Sequence, residues 1–182
     1  MKNSYLRDRI YAKNQNLTRQ DMKIQEEKTN AVRLLSSKKI NFTTHTYQTE
    51  PVLSGAEIAK ILGENPDKVF KTLVTVGKSN ANYVFVVPVE KELDLKAAAA
   101  VVGEKSISMI KSKELLPLTG YIHGGCSPIG MKKFFPTVID ESAKNQETIL
   151  FSGGRIGLQV ETSTDELAKV IKFRFAPISK DM

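Results

Sequence analysis

The chain has 182 residues, 41% hydrophobic and 26% charged, with one cysteine and a formal net charge of +7. That length suits one domain with its own core, a single cysteine excludes an intramolecular disulfide framework, and no apolar run approaches the ~20 residues that cross a bilayer. The N-terminus lacks the apolar core of a signal peptide, and these features together favour the cytosol.

The sequence pI of about 9.4 favours anionic partners such as nucleic acid. No tryptophan and 7% aromatic residues argue against an extensive base-stacking platform.

Residues 1–28 are polar and basic with almost no apolar periodicity, and read as an extension, flexible or weakly helical. The compact domain is expected over 29–182. Thr29 can cap a helix whose apolar stripe is Val32, Leu34 and Leu35. Residues 42–47 read as a strand from their β-branched and aromatic content. Ser54 and Glu57 form a capping box for a helix that stops at Gly63. Strands over 69–76 and 83–89 should pair as a hairpin. Asp94 caps a helix through Leu95–Val102, ended by Gly103, where the run 97–100 is all alanine and suits close packing on a sheet. A strand over 106–110 and a short helix ended by Pro117 follow. The strand Thr137–Asp140 precedes a tight hairpin of 148–151 with 156–161. Ser163 and Glu166 read as a second capping box, and 172–178 as a last strand. Hairpins mixed with isolated helices give an α/β protein of mixed α+β kind, not a regular doubly wound sheet.

The richest stretch is Gly124-Gly125-Cys126-Ser127-Pro128-Ile129-Gly130-Met131-Lys132-Lys133. Glycines permit positive φ and close approach to a ligand, and proline holds a loop in one shape. It is a binding loop or a connecting turn. Lys71 interrupts an apolar strand, so its ammonium must reach an anion, a polarised carbonyl or a rim of water. Ser152-Gly153-Gly154-Arg155 can hold an anion on exposed amides, and is equally a hairpin turn. Cys126 as a nucleophile would need a nearby base and a lowered pKa. Tyr47, at a strand end, could hydrogen-bond a ligand or simply pack. Two separated histidines and one cysteine make no zinc pattern. With neither a P-loop nor G-x-G-x-x-G, no metal and no nucleotide cofactor are expected.

Thr29-Asn30-Ala31-Val32, His45-Thr46-Tyr47, Lys71-Thr72-Leu73, Leu93-Asp94-Leu95-Lys96, Gly120-Tyr121, the Gly124 to Gly130 loop, Lys132-Lys133 and Ser152-Gly153-Gly154 occur in the order seen in the YbaK-like aminoacyl-tRNA deacylases. These are free-standing relatives of the prolyl-tRNA synthetase editing domain. The resemblance runs from about residue 29 to the C-terminus and is strongest to the Cys-tRNA(Pro) deacylases. It implies a largely antiparallel, barrel-like mixed sheet flanked by helices. It implies hydrolysis of the ester between a wrongly attached amino acid and tRNA, with no cofactor and with the substrate's own thiol attacking its carbonyl. It places Lys71, Gly125 and Ser127 in the catalytic set. Tyr47, Thr72, Gly124, Cys126, Pro128, Ser152, Gly153, Gly154 and Gln159 would line the substrate pocket. Lys132, Lys133, Arg155 and the basic extension would lie around one pocket mouth, with Lys132, Lys133 and Arg155 meeting the tRNA backbone. The implied partners are Cys-tRNA(Pro), or Cys-tRNA(Cys), and prolyl-tRNA synthetase in a ternary complex. Two positions depart from the pattern: Cys126 replaces an aliphatic residue, and Gln159 stands where cysteine-specific relatives usually show aspartate. The alternatives are Ala-tRNA(Pro) or another mischarged tRNA as substrate, a non-catalytic tRNA- or synthetase-binding module, and a hydrolase using Cys126 as nucleophile.

Overall fold

Helix α1 (Asn30–Ser37) starts at Thr29, whose hydroxyl accepts the Val32 N–H at 3.2 Å, and buries Ala31 and Leu35. The computed structural model describes residues 28–182, so the extension before Lys28 lies outside the described residues. In chain order follow β1 (Thr43–Thr46), α2 (Gly55–Leu62), a 3-10 turn (Pro66–Lys68), β2 (Phe70–Gly77), β3 (Asn82–Pro88), β4 (Lys91–Leu93) and α3 (Leu95–Val102). Next come β5 (Ile107–Met109), α4 (Ser112–Thr119), β6 (Thr137–Asp140), a second 3-10 turn (Glu141–Asn145), β7 (Ile149–Ser152), β8 (Leu158–Thr162), α5 (Thr164–Ala168), β9 (Phe173–Ala176) and β10 (Ser179–Asp181).

The capping residues set these boundaries. Ser54 and Glu57 close their box on α2, which ends at Gly63 with φ +68°. Asp94 accepts from Lys96 and Ala97 at the start of α3. The Ser163 hydroxyl accepts the Glu166 N–H, but the Glu166 carboxylate accepts from the Asn41 N–H at 2.8 Å and from Lys169 Nζ rather than from the Ser163 N–H, so this box is half-formed. Helix α4 does not stop at Pro117. It continues to Thr119 and ends at Gly120, φ +84°. The proline forfeits one bond, to an exposed carbonyl at Lys113, and the chain tolerates it.

Strands form a five-stranded sheet in the order β5-β2-β3-β6-β9, a three-stranded sheet β1-β8-β7 and the pair β10-β4. Strands β2 and β3 are the expected antiparallel hairpin. The pairs β3–β6 and β6–β9 are parallel, reached by crossovers through helices. One parallel bridge, Val69 to Leu150, joins the two larger sheets. The sheets curl around a core but do not close into a barrel.

That core is built from alternate residues. Phe70, Val74, Val84, Val86 and Ile139 of the larger sheet meet Ile149, Phe151 and Val160 of the smaller one, with Leu35, Leu115 and Leu167 from helices. On the outer face of the larger sheet, Phe85, Val87 and Val138 pack on Ala98 and Ala99 of the alanine-rich α3. A small cluster of Ala59, Val69, Val89 and Leu150 seats α2 against the junction of the sheets.

Candidate active site

The junction collects the candidate polar residues on one face. Gln159 of β8 is paired with Ser152 of β7 on one side and with His45 of β1 on the other. Their neighbours Val160 and Phe151 point into the core. By alternation Gln159, Ser152 and His45 share the outer face, and Tyr47, two residues beyond His45, continues it. The Tyr47 N–H donates to the Gly157 carbonyl at 3.0 Å, which ties it to the end of the β7–β8 connection. The Val69–Leu150 bridge carried two residues onward sets Lys71 beside Ser152 on this face.

Lys71 is half-buried, and its Nζ donates to the Val89 carbonyl at 3.3 Å. Burial lowers its pKa from the ordinary lysine value, against the opposing pull of Glu92. A cation with one weak neutral partner keeps donors for an incoming anion or polarised carbonyl. The Ser152 hydroxyl oxygen accepts the Gly154 N–H at 3.2 Å, leaving its own proton to donate. Gln159 is 5% exposed, and its Oε1 has no hydrogen-bond partner among the described residues.

The two glycine-rich segments lie against each other. A Cβ at Gly125 would stand 2.9 Å from Arg155 Cα, so only glycine permits this approach of one backbone to the other. A Cβ at Gly154 would meet the Tyr121 ring at 2.9 Å. The Tyr121 hydroxyl donates to the Ile129 carbonyl at 2.8 Å, and Thr29 Oγ1 donates to the Gly153 carbonyl at 2.5 Å. The turn after β7, the 124–130 loop and the start of α1 are thereby one packed unit.

Within the loop the predicted roles divide. Gly124 is exposed, while Gly125, Cys126, Ser127 and Pro128 are buried. The Gly125 N–H is spent on the Ile122 carbonyl at 3.0 Å, so it is not a free oxyanion donor. The Cys126 and Ser127 amides make no hydrogen bond among the described residues. Burial pushes the Cys126 thiol up to about 12, partly offset by Thr119, which disfavours a thiolate nucleophile. Thr72 does not join the set: by alternation it faces the core, with its Oγ1 buried and unpartnered among the described residues. Lys132 and Lys133 are exposed, but Lys132 Nζ folds back to the Pro117 carbonyl at 3.3 Å. Arg155 is partly buried beside Gly125. The part of the expected charge cluster contributed by residues before Lys28 lies outside the described residues.

A polar hub that the motifs did not reveal borders the face. The Glu161 carboxylate meets His45 Nε2 at 2.7 Å, Lys68 Nζ at 2.6 Å and the Thr148 hydroxyl at 2.6 Å, and Lys68 also reaches Glu64 at 3.2 Å. Burial alone would raise the Glu161 pKa, but Lys68, Thr148 and His45 together hold it down at about 2. His45, Glu64 and Glu161 place ligand atoms within 4.8 Å of one another, a spacing that could suit a metal. The Lys68 ammonium occupies the position between the two carboxylates and neutralises them, which disfavours a cation there. The sequence signal for this hub is slight: Glu64 and Lys68 are four residues apart in the segment before β2, but His45 and Glu161 are far from them in the chain and are brought together by the β1–β8 pairing.

A family model for the aminoacyl-tRNA editing domain matches residues 49–170. A proposed Cys-tRNA(Pro)/Cys-tRNA(Cys) deacylase of Enterococcus faecalis is 40% identical over 155 residues, covering 85% of this chain and 94% of that protein. Among solved structures, a hypothetical protein superposes with a TM-score of 0.76 at 22% identity, covering 84% of this chain and 100% of the other. A proposed trans-editing enzyme for prolyl-tRNA synthetase superposes with a TM-score of 0.75 at 23% identity, covering 85% of this chain and 99% of that one. At those identities the structural likenesses speak for the fold.

Proposed function

The chain belongs to the aminoacyl-tRNA editing domain family, and on that premise we propose that it is a trans-editing hydrolase that deacylates Cys-tRNA(Pro), with Cys-tRNA(Cys) as second substrate. The 40% identity to the E. faecalis protein supports the substrate class. The observation that carries the chemistry is the shared face of Lys71, Ser152, Gln159 and Tyr47 beside two packed glycine segments, with the one cysteine buried away as a thiol.

In this reading the substrate brings the nucleophile. Its cysteine sulfur attacks its own ester carbonyl, the C–S bond forms as the C–O bond to the terminal ribose breaks, and the thiol proton leaves with the ribose oxygen. Water then opens the strained thioester and releases cysteine. The protein supplies orientation and charge: a thiol folded toward its own carbonyl gains from effective concentration, and donors aimed at the developing oxyanion lower the barrier. Lys71 and the Ser152 hydroxyl act on the carbonyl or adjoining phosphate, with the Cys126 and Ser127 amides as further donors. Gln159 and Tyr47 bound the side-chain pocket. Lys132, Lys133 and Arg155 meet the tRNA backbone. Prolyl-tRNA synthetase would supply tRNA identity in a ternary complex, and the whole reaction belongs in the cytoplasm.

The test is deacylation of Cys-tRNA(Pro), Cys-tRNA(Cys) and Ala-tRNA(Pro) by wild type, Lys71→Ala and Cys126→Ser. The proposal expects rapid loss of cysteine, abolished by Lys71→Ala and near normal in Cys126→Ser. Collapse in Cys126→Ser would replace substrate assistance with an enzyme nucleophile, and loss of alanine alone would move the specificity.

A further inference from the structure

We propose that Phe134, preceded in the chain by Lys132 and Lys133, is a stacking platform for the single-stranded 3′ end of the tRNA. This deepens the function above and rests on it. The adjacent phenylalanines part company: Phe135 is 5% exposed within the core, whereas Phe134 is 62% exposed. Ile122 and Leu116, 50% and 51% exposed, also lie on this loop and on the helix before it. An apolar ring left in water on an exposed stretch that carries two lysines, one with its Nζ on the Pro117 carbonyl and the other over the Phe135 ring, matches a nucleotide chain, whose bases offer π-faces and whose phosphates offer charge.

The platform is fixed at several points. The Lys132 N–H donates to the Thr119 carbonyl at 3.0 Å, and its Nζ donates to the Pro117 carbonyl at 3.3 Å. A Cβ at Gly120 would touch the Lys132 side chain at 3.4 Å. Lys133 Nζ stands 5.3 Å from the Phe135 ring centroid. The same loop runs back through Ile129, held by Tyr121, and Tyr121 in turn packs on Gly154 of the candidate site. The chain between Phe134 and the candidate site is thus packed at Ile129 and Tyr121, and in the proposed complex the single strand, its terminal ester at Ser152, lies along it. Holding the single strand there fixes the ester's approach without contact to the reacting atoms.

The probe is a fluorescent 12-nucleotide RNA ending in CCA, measured by anisotropy alongside deacylated tRNA(Pro). Phe134→Ala should raise Kd roughly tenfold for both, with Phe134→Trp restoring binding. In deacylation, KM should rise with kcat held. The slope of log Kd against log salt should stay unchanged in Phe134→Ala and fall by roughly one in Lys133→Ala. Unchanged RNA binding by Phe134→Ala overturns the proposal, and loss of affinity for prolyl-tRNA synthetase alone would overturn it in favour of a protein-docking face. Because binding is read without hydrolysis, a wild type that binds the RNA but deacylates no Cys-tRNA would refute the function and leave the platform standing.

Discussion

Lys71 and Gln159 are polar groups held where water reaches them poorly, and each is worth a substitution. Lys71→Ala removes the cation nearest the proposed carbonyl, and the loss of such a donor costs kcat about 10²–10³. Lys71→Arg should not restore it, because a planar fork presents its donors differently from an ammonium. Burial lowers the Lys71 pKa, against the pull of Glu92, so the ammonium is lost as pH rises earlier than for a free lysine at ~10.4. The alkaline limb of kcat/KM, corrected for spontaneous hydrolysis, should fall below that value. A limb at or above it would assign the essential charge elsewhere. Gln159 tests substrate contact against packing. Replacing it by leucine removes an acceptor that has no partner among the described residues, so melting temperature should hold or rise. Activity on Cys-tRNA(Pro) should nevertheless drop at least tenfold; an unchanged rate would make Gln159 a packing residue.

At the scale of elements, close backbone contact and one carboxylate hold the site together. Gly125→Ala would drive a Cβ to 2.9 Å from Arg155 Cα, and backbone cannot swing aside as a side chain can. Both glycine segments must shift, so kcat/KM should fall more than tenfold and thermal stability should fall with it. A Cβ at Gly153 would meet the Cγ of buried Leu158 at 2.6 Å, so alanine there should also cost stability. Glu161 ties edge strand β1 to β8 and to the turn before β2 through His45 and Lys68. Its folded pKa near 2 lies below the unfolded value of about 4.3, so its stabilisation is complete above that value and drains away as pH falls toward 2. Acid titration of unfolding should show this loss, and Glu161→Gln should flatten it at a cost on the order of 1–3 kcal/mol at neutral pH. The hub explains what sequence could and could not show. Thr29, Ser54, Asp94 and the glycines at 63 and 103 announce helix ends because capping is local chemistry. The lysine in an apolar strand and the glycine loop stand out for the same reason. The parallel places of β6 and β9 are invisible to a period of two, which tells a strand's faces and not its partners. Thr72 lies next to Lys71 in sequence yet faces the core for that same period. Pro117 looked like a stop, but Gly120 ends the helix. Gly125 enters the catalytic set by resemblance, but its amide closes a turn onto the Ile122 carbonyl, which no local pattern of residues announces.

For the whole molecule the deciding quantity is where the charge sits. The first 27 residues hold six basic and four acidic side chains, so most of the net +7 belongs to the described residues. If the compact unit begins near Thr29, whose hydroxyl both caps α1 and grips the Gly153 carbonyl, the polyanion surface travels with the domain. Each phosphate neutralised by a lysine or arginine releases counterions, and affinity falls linearly with salt on a logarithmic plot, by about 0.7 to 0.9 per contact. The 182-residue chain should therefore bind tRNA(Pro) with a steep slope. A chain beginning at Lys28 should keep nearly the same slope, the same melting temperature within a few degrees and the same deacylation rate. A slope that collapses on truncation would move tRNA attraction to residues 1–27 and leave Lys132, Lys133 and Arg155 as surface charges of another use. A chain that unfolds on truncation would mean that the core recruits the extension, and the boundary at Thr29 would be wrong.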